Sequence, residues 1–203
     1  MQTDSIQTSQ TPEAAVVVSH EVADFDAWRS AFEGHAPARR KAGILASHYN
    51  RSLDNPNLVI VYLAAASHDV IERFMANPEL KATMQRAGVT SVPRVLAVTP
   101  LEDLTLKTKP LVGAVIRHRV GDYGQWKKAF DAHGAARSQA GILGHAVNCL
   151  ADDKSMLVVY VQAESVDTLR KFVSNPELKS VMQQAGVVGA PEIAFVQGGR
   201  WEA

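Results

Sequence analysis

The stretch DFDAWRSAFEGHAPARRKAGI at residues 24–44 is written a second time, as DYGQWKKAFDAHGAARSQAGI, at residues 122–142. Trp28 and Trp126, Phe32 and Phe130, His35 and His133, Arg39 and Arg137, and Gly43 and Gly141 all stand 98 apart (126 − 28 = 98). The same offset carries Asn77-Pro78-Glu79-Leu80-Lys81 onto Asn175-Pro176-Glu177-Leu178-Lys179, and Ala87-Gly88-Val89 onto Ala185-Gly186-Val187. Laying residues 16–98 over 114–196 needs no gap, and about 34 of the 83 aligned positions are identical. A single long period of this kind marks the tandem duplication of a domain-sized unit.

Each unit reads β-α-β-β-α-β. Val16-Val17-Val18 opens a strand, with Val115-Ile116 as its counterpart. Asp24 and Asp122 are natural N-caps, because a carboxylate can accept from the orphan N–H groups of the helix that follows. That helix is expected to run to Ala42, where Gly43 can adopt the left-handed closing conformation and Ile44 supplies the apolar contact beyond it. Leu45–Arg51 and Leu58–Ala64 form a hairpin around Asp54-Asn55-Pro56-Asn57. Ser67 caps a second helical region, which Pro78 interrupts and Asn77 recaps. It ends at Gly88, and Val95–Val98 is the last strand. This order is the ferredoxin-like split βαβ unit, whose helices cover one face of a four-stranded sheet. The fold class is therefore α+β, with two tandem ferredoxin-like βαββαβ repeats. Their open faces need cover and close on each other face to face, as an intramolecular pseudo-dimer. The expected boundaries are a disordered tail at 1–12, a first repeat at 13–99, a linker at 100–112, a second repeat at 113–198 and a C-terminal tail at 199–203.

Composition narrows the function. The chain has 203 residues, and 21 basic against 21 acidic residues leave no net charge, which argues against a nucleic-acid partner. The longest apolar run, Leu58–Ala66, is under half of the roughly 20 residues a membrane helix needs. The opening MQTDSIQTSQTPE shows neither a basic nor an apolar segment of a signal peptide, so a cytoplasmic location is expected. The one cysteine, Cys149, cannot form an intramolecular disulfide or a Cys-rich metal site. GxGxxG after a strand, GxxxxGK[ST], HExxH and GxSxG do not occur. Gly198-Gly199 belongs to the C-terminal end. No histidine cluster has carboxylates at a recognisable metal spacing, so no metal is expected, nor any added cofactor.

The quoted helix holds the chemistry. At 100° per residue from Phe25, Trp28 falls at about 300°, Phe32 at about 340°, His35 at about 280° and Arg39 at about 320°. His35 and Arg39 therefore sit within the apolar stripe, and His133 and Arg137 repeat them beside Trp126 and Phe130. One reading is structural: Arg39 bonds a carbonyl or a carboxylate such as Glu79, and His35 is a satisfied core histidine. The other places both in a cleft between helix and sheet, holding an anionic or carbonyl-bearing ligand. The candidate site is then His35 and His133 as proton carriers, with Trp28, Arg39, Trp126 and Arg137 binding the ligand. His20 and His118, in phase with Val18 and Ile116, read as core residues. Asn50 and Asn148 read as turn residues ending a strand, Tyr62 and Tyr160 as packing, and Met84 and Met182 as filler.

The repeated D-[FY]-x-x-W-x-x-x-F-x-x-H-x-x-x-R-x-x-A-G-I, with N-P-E-L-K and A-G-V in a βαββαβ order, resembles the dimeric α+β barrel superfamily. More narrowly, it is similar to small bacterial proteins described as antibiotic-biosynthesis-monooxygenase-like or cyclase-like. The resemblance covers residues 14–98 and 112–196. It implies a small-molecule-binding barrel with ligands between helices and sheet, and a cofactor-independent monooxygenase or an isomerase or cyclase acting on aromatic or carbonyl compounds. The alternative it leaves is a non-catalytic ligand-binding or stress-associated module. Haem degraders of the superfamily use an Asn, a Trp and a His, but here Trp28 and His35 share one helix, which does not match their pattern. Usual members pair two chains. This chain carries both halves, and a further homodimer is left open.

Overall fold

The computed structural model describes residues 12–202, so all but the last position of the expected 1–12 tail lies outside the described residues. The first repeat consists of β1 (Ala14–Glu21), α1 (Phe25–Gly34), α2 (Ala36–Lys41), β2 (Ile44–Ser52), β3 (Leu58–Ala65), α3 (His68–Met75), α4 (Pro78–Arg86) and β4 (Arg94–Asp103). The second repeats it with β5 (Val112–Val120), α5 (Tyr123–Ala132), α6 (Gly134–Gln139), β6 (Gly144–Leu150), β7 (Met156–Ala163), α7 (Val166–Ser174), α8 (Pro176–Gln184) and β8 (Val187–Glu202). Three of the expected caps act as their side chains dictate, whereas Ser67 stands at the start of α3 without a side-chain cap bond. Asp24 accepts from the Ala27 N–H at 2.7 Å, Asp122 from Gln125 at 2.6 Å, and Asn77 from Glu79 at 2.9 Å. Gly43 and Gly141 close their helices at φ 89° and 84°, values that strain any side chain.

The eight strands form one closed antiparallel barrel in the order β1-β3-β2-β8-β5-β7-β6-β4. Each repeat buries its helices on the outer face of its own strands, around Trp28, Ile71 and Phe74 in one copy and Trp126, Leu169 and Phe172 in the other. The inner faces meet in a shared core that includes Ala15, Ala64 and Val98 from the first repeat and Val158 from the second. Face-to-face closure is thus accompanied by edge pairing, β2 with β8 and β4 with β6. A barrel leaves no unpaired edge.

That closure corrects the expected boundaries. The last strand of the first repeat does not stop at Val98: β4 runs to Asp103, through the start of the expected 100–112 linker, because β6 needs a ladder partner as far as Ala146. Pro100, the first residue of that expected linker, sits at a register shift between Pro100 and Glu102, where a missing N–H is tolerated. Likewise residues 199–202, the described part of the expected 199–203 tail, are strand. β8 extends to Glu202, pairing Trp201 with His48 and Glu202 with Ser47.

The helix expected to run unbroken to Ala42 is divided at His35, with φ −84° and ψ 0°, and its twin divides at His133, with φ −81° and ψ 5°. Proline is not the shared cause, since Pro37 aligns with Ala135. Both breaks have an arginine folded back on the chain. Arg39 Nη1 donates to the Phe32 carbonyl at 2.6 Å, and Arg137 Nη1 donates to the Phe130 carbonyl. Each satisfies a carbonyl at the end of the first helical segment.

Candidate functional site

Trp28 lies on the inner stripe of α1, is 3% exposed, and stacks on Phe32 at 5.2 Å between ring centroids. Trp126 does the same on Phe130 at 4.8 Å. Arg39 and Arg137 stack their guanidinium planes on those phenylalanines, 3.8 and 3.7 Å from the ring centroids. Cation–π contact and carbonyl bonding together explain how a guanidinium tolerates 3% exposure at Arg39 and 7% at Arg137. Arg39 also forms an ion pair, but with Glu202 rather than the expected Glu79. The last strand of the second repeat reaches across the barrel seam to supply that acid.

Between this aromatic wall and the sheet lies a pocket of about 560 Å³, open to solvent, with Trp28, His35 and Arg39 on its helix side, His20 on its sheet side, and Phe74 and Met84 opposite. Its twin, of about 540 Å³, is lined by His118, Trp126, His133, Arg137, Phe172 and Met182. The three site types read from the sequence therefore meet in one pocket per repeat. Neither α4 nor α8 contributes a fully buried side chain, although both carry apolar residues facing inward. The space those residues would fill is the pocket, so Met84 and Met182 form its wall instead of filling a core.

His35 is half-buried at the rim and makes no side-chain hydrogen bond to described residues, so it is not a satisfied core histidine. Burial, then the neighbouring Arg39 and Arg86, hold its imidazole below the ordinary value. His133 is lowered by burial and by Arg137. Both shifts favour the neutral imidazole.

The sequence reading passed over His20 and His118. They are 4% and 5% exposed, stand beside Trp28 and Trp126 at 5.8 and 5.7 Å, and have both ring nitrogens buried without a protein partner. Burial pushes each imidazole down to about 4. An orphaned buried donor or acceptor costs about 1–3 kcal/mol. Two at equivalent positions are a cost the core alone does not explain. The signal was present: a histidine in phase with valines on the first strand of both copies.

A second kind of cavity, of about 570 Å³ and open to solvent, lies between Asn50, Tyr62, Asn148, Tyr160 and the His48–Trp201 stack on the inner side of the barrel. Its polar groups largely satisfy one another. Asn50 Oδ1 meets His48 Nε2 at 3.2 Å and accepts from the Tyr160 hydroxyl at 3.3 Å, while Asn148 Nδ2 donates to the Val158 carbonyl at 3.3 Å. Asn50 and Asn148 are thus buried strand residues, not turn residues, because β2 and β6 continue past them. Cys149 is buried and free. Among the described residues, no group of three or more His, Cys, Asp or Glu could hold a metal ion.

No family model matches this chain. No curated protein matches it either. Solved structures do. An anthrone oxidase-like protein superposes with a TM-score of 0.67 at 14% identity, over 96% of this chain and 94% of its own. A ferredoxin-fold protein related to antibiotic biosynthesis monooxygenases, from Listeria monocytogenes, gives 0.55 at 7% identity over 96% and 99%. A heme-binding protein from Thermus thermophilus gives 0.57 at 14% identity over 92% of both chains. The chain shares their α+β barrel fold, with both ferredoxin-like halves in one polypeptide. No helix among the described residues is long and apolar enough to cross a membrane.

Proposed function

We propose that each repeat binds a flat aromatic or carbonyl-bearing small molecule between its first helix and its sheet. Of the reactions compatible with such a site, we favour a cofactor-independent monooxygenation of a phenolic or anthrone-like substrate. The observation that carries this reading is the pair of buried, unpartnered histidines, His20 and His118, each at the wall of an apolar pocket. A ligand hydroxyl would supply the missing partner once a neighbouring pocket side chain yields. Trp28 or Trp126 would stack on the ring system. Arg39 or Arg137 would stabilise an oxyanion, and the neutral imidazole of His35 or His133 would accept the proton released as it forms. The electron-rich anion then reduces dioxygen. One oxygen atom enters as a new carbonyl and the other leaves as water with the two displaced hydrogens, so the reaction is balanced. An isomerisation would use the same proton transfer without oxygen.

Haem does not fit His20 or His118 as they stand. Coordination would bring a porphyrin face within bonding distance of a ring nitrogen that has under 1 Å² of exposed surface. A hydroxyl needs far less room.

The test is binding and dioxygen uptake for a panel of anthrones, naphthols and hydroquinones, without additives, in the wild type and in the His20→Leu/His118→Leu protein. The reading expects a panel member to bind and to consume oxygen, with binding weakened at least about tenfold in the double variant. Binding without uptake would leave a ligand-binding module. Binding untouched by the double variant, or no binding at all, would overturn the site.

A further inference from the structure

The two pockets are near-copies in shape but not in charge. In the first repeat, Arg39 donates to the Phe32 carbonyl at 2.6 Å and pairs with Glu202, whose carboxylate also accepts from Ser47 at 3.0 Å. The cation is neutralised by the protein itself. In the second repeat, the position equivalent to Glu202 is Leu104 (202 − 98 = 104), which is 61% exposed and lies just past the end of β4. Ser47 is replaced there by His145 (47 + 98 = 145).

An acid does reach the second repeat across the seam, but it is spent elsewhere. Glu102 meets His145 at 2.5 Å and Lys127 at 3.0 Å, and Asp131 meets Lys127 at 2.6 Å. Among the described residues Arg137 forms no ion pair. The one hydrogen bond of its guanidinium to the described residues is to the Phe130 carbonyl. Arg137 as a residue is nonetheless only 7% exposed, and it lines the second pocket beside Trp126 and His118. Asp131 and Glu102 act on this guanidinium only through space, with neither within ion-pairing distance, and a ligand carboxylate or phenolate would supply the direct partner through charge-assisted hydrogen bonds.

We infer that the two pockets differ in the ligand charge they select on binding: the second repeat takes a flat anion, and the first takes a flat molecule that arrives uncharged and forms its oxyanion only in the reaction. This rests on the reading that both pockets bind flat small molecules. Glu202 is then a specificity-determining residue, which acts through Arg39 without touching the ligand. Duplication would have let one site diverge by a single acid on the last strand.

The chain carries its own reporters. Trp28 lines the first pocket, Trp126 the second, and Trp201 the barrel cavity, and these are its three tryptophans. Their indole N–H signals, observed in the full-length ¹⁵N-labelled protein, follow each site separately in one titration. The probes are naphthalene-2-carboxylate and its near-isostere naphthalene-2-carboxamide. The carboxylate should shift the Trp126 signal at concentrations at least about tenfold below those that shift Trp28. The carboxamide should shift both alike. Glu202→Gln should bring the carboxylate affinity at Trp28 up towards that at Trp126, and Arg137→Gln should abolish the preference. Equal response of Trp28 and Trp126 to both probes would overturn the charge difference and leave the binding sites standing. No response at either, or a response confined to Trp201, would overturn the sites and the charge difference together.

Discussion

Arg39→Met strips the first repeat of a buried ion pair, and its cost can be worked from the contacts. The substitution removes the bond to the Phe32 carbonyl, the stack on Phe32 and the pairing with Glu202. Methionine retains much of the apolar packing of the arginine stem. Glu202 is left with a side chain 16% exposed and Ser47 as its remaining partner. Removing one member of a buried pair costs about 3–5 kcal/mol, and the residual water access of Glu202 places this case near 3 kcal/mol. For a chain of this size that corresponds to a fall in Tm of about 6–12 °C. Replacing both partners, Arg39→Met with Glu202→Leu, should recover most of the loss, because an apolar pair leaves no stranded charge. Arg137→Met strands no carboxylate and should cost only about 1–2 kcal/mol. Thermal melts followed by circular dichroism measure all three. An Arg39→Met protein melting within about 2 °C of wild type would refute this account of the ion pair, as would a double variant no more stable than the single one.

Burial lowers His20, His48 and His118 from 6.5 to about 4, so the unfolded chain binds protons that the folded chain refuses. These groups cost nothing above about pH 7, where both states are neutral. As pH falls from about 6.5 to about 4, they should draw stability down, with unfolding taking up as many as about three protons, and His20→Leu/His118→Leu should flatten the slope of Tm against pH. Truncation after Gly198 removes Trp201 and Glu202, and should lower Tm at least as far as Arg39→Met while enhancing hydrogen exchange along β2, since those residues pair with His48 and Ser47. Unchanged exchange would mean that the end of β8 is dispensable. Cys149 is 3% exposed with its thiol pushed up by burial, so a thiol reagent should label it only as fast as the protein unfolds.

The fold was legible because duplication, cap residues and closing glycines are local signals, and because four-stranded sheets with bare inner faces have few ways to cover them. Strand ends were not legible. How far β4 and β8 run is decided by the other repeat's edge strands, and no pattern within Thr99–Asp103 or Gly199–Glu202 announces a partner some fifty to a hundred and fifty residues away. The helix stripe correctly brought Trp28, His35 and Arg39 to one pocket, since the break at His35 keeps both segments on the same face. It could not name Glu202, which arrives from the far end of the chain. His20 and His118 were set aside for a physical reason: strand periodicity shows that a side chain faces inward, but not whether its nitrogens find partners there.

The central claim is that the pockets between helix and sheet, and not the barrel interior, receive the ligand. A crystal structure of the protein with 2-naphthol tests it directly. The account predicts naphthol density against Trp28 and Trp126, with the hydroxyl within hydrogen-bond distance of a ring nitrogen of His20 and of His118. Density confined to the barrel cavity, between Tyr62, Tyr160 and Trp201, would contradict it.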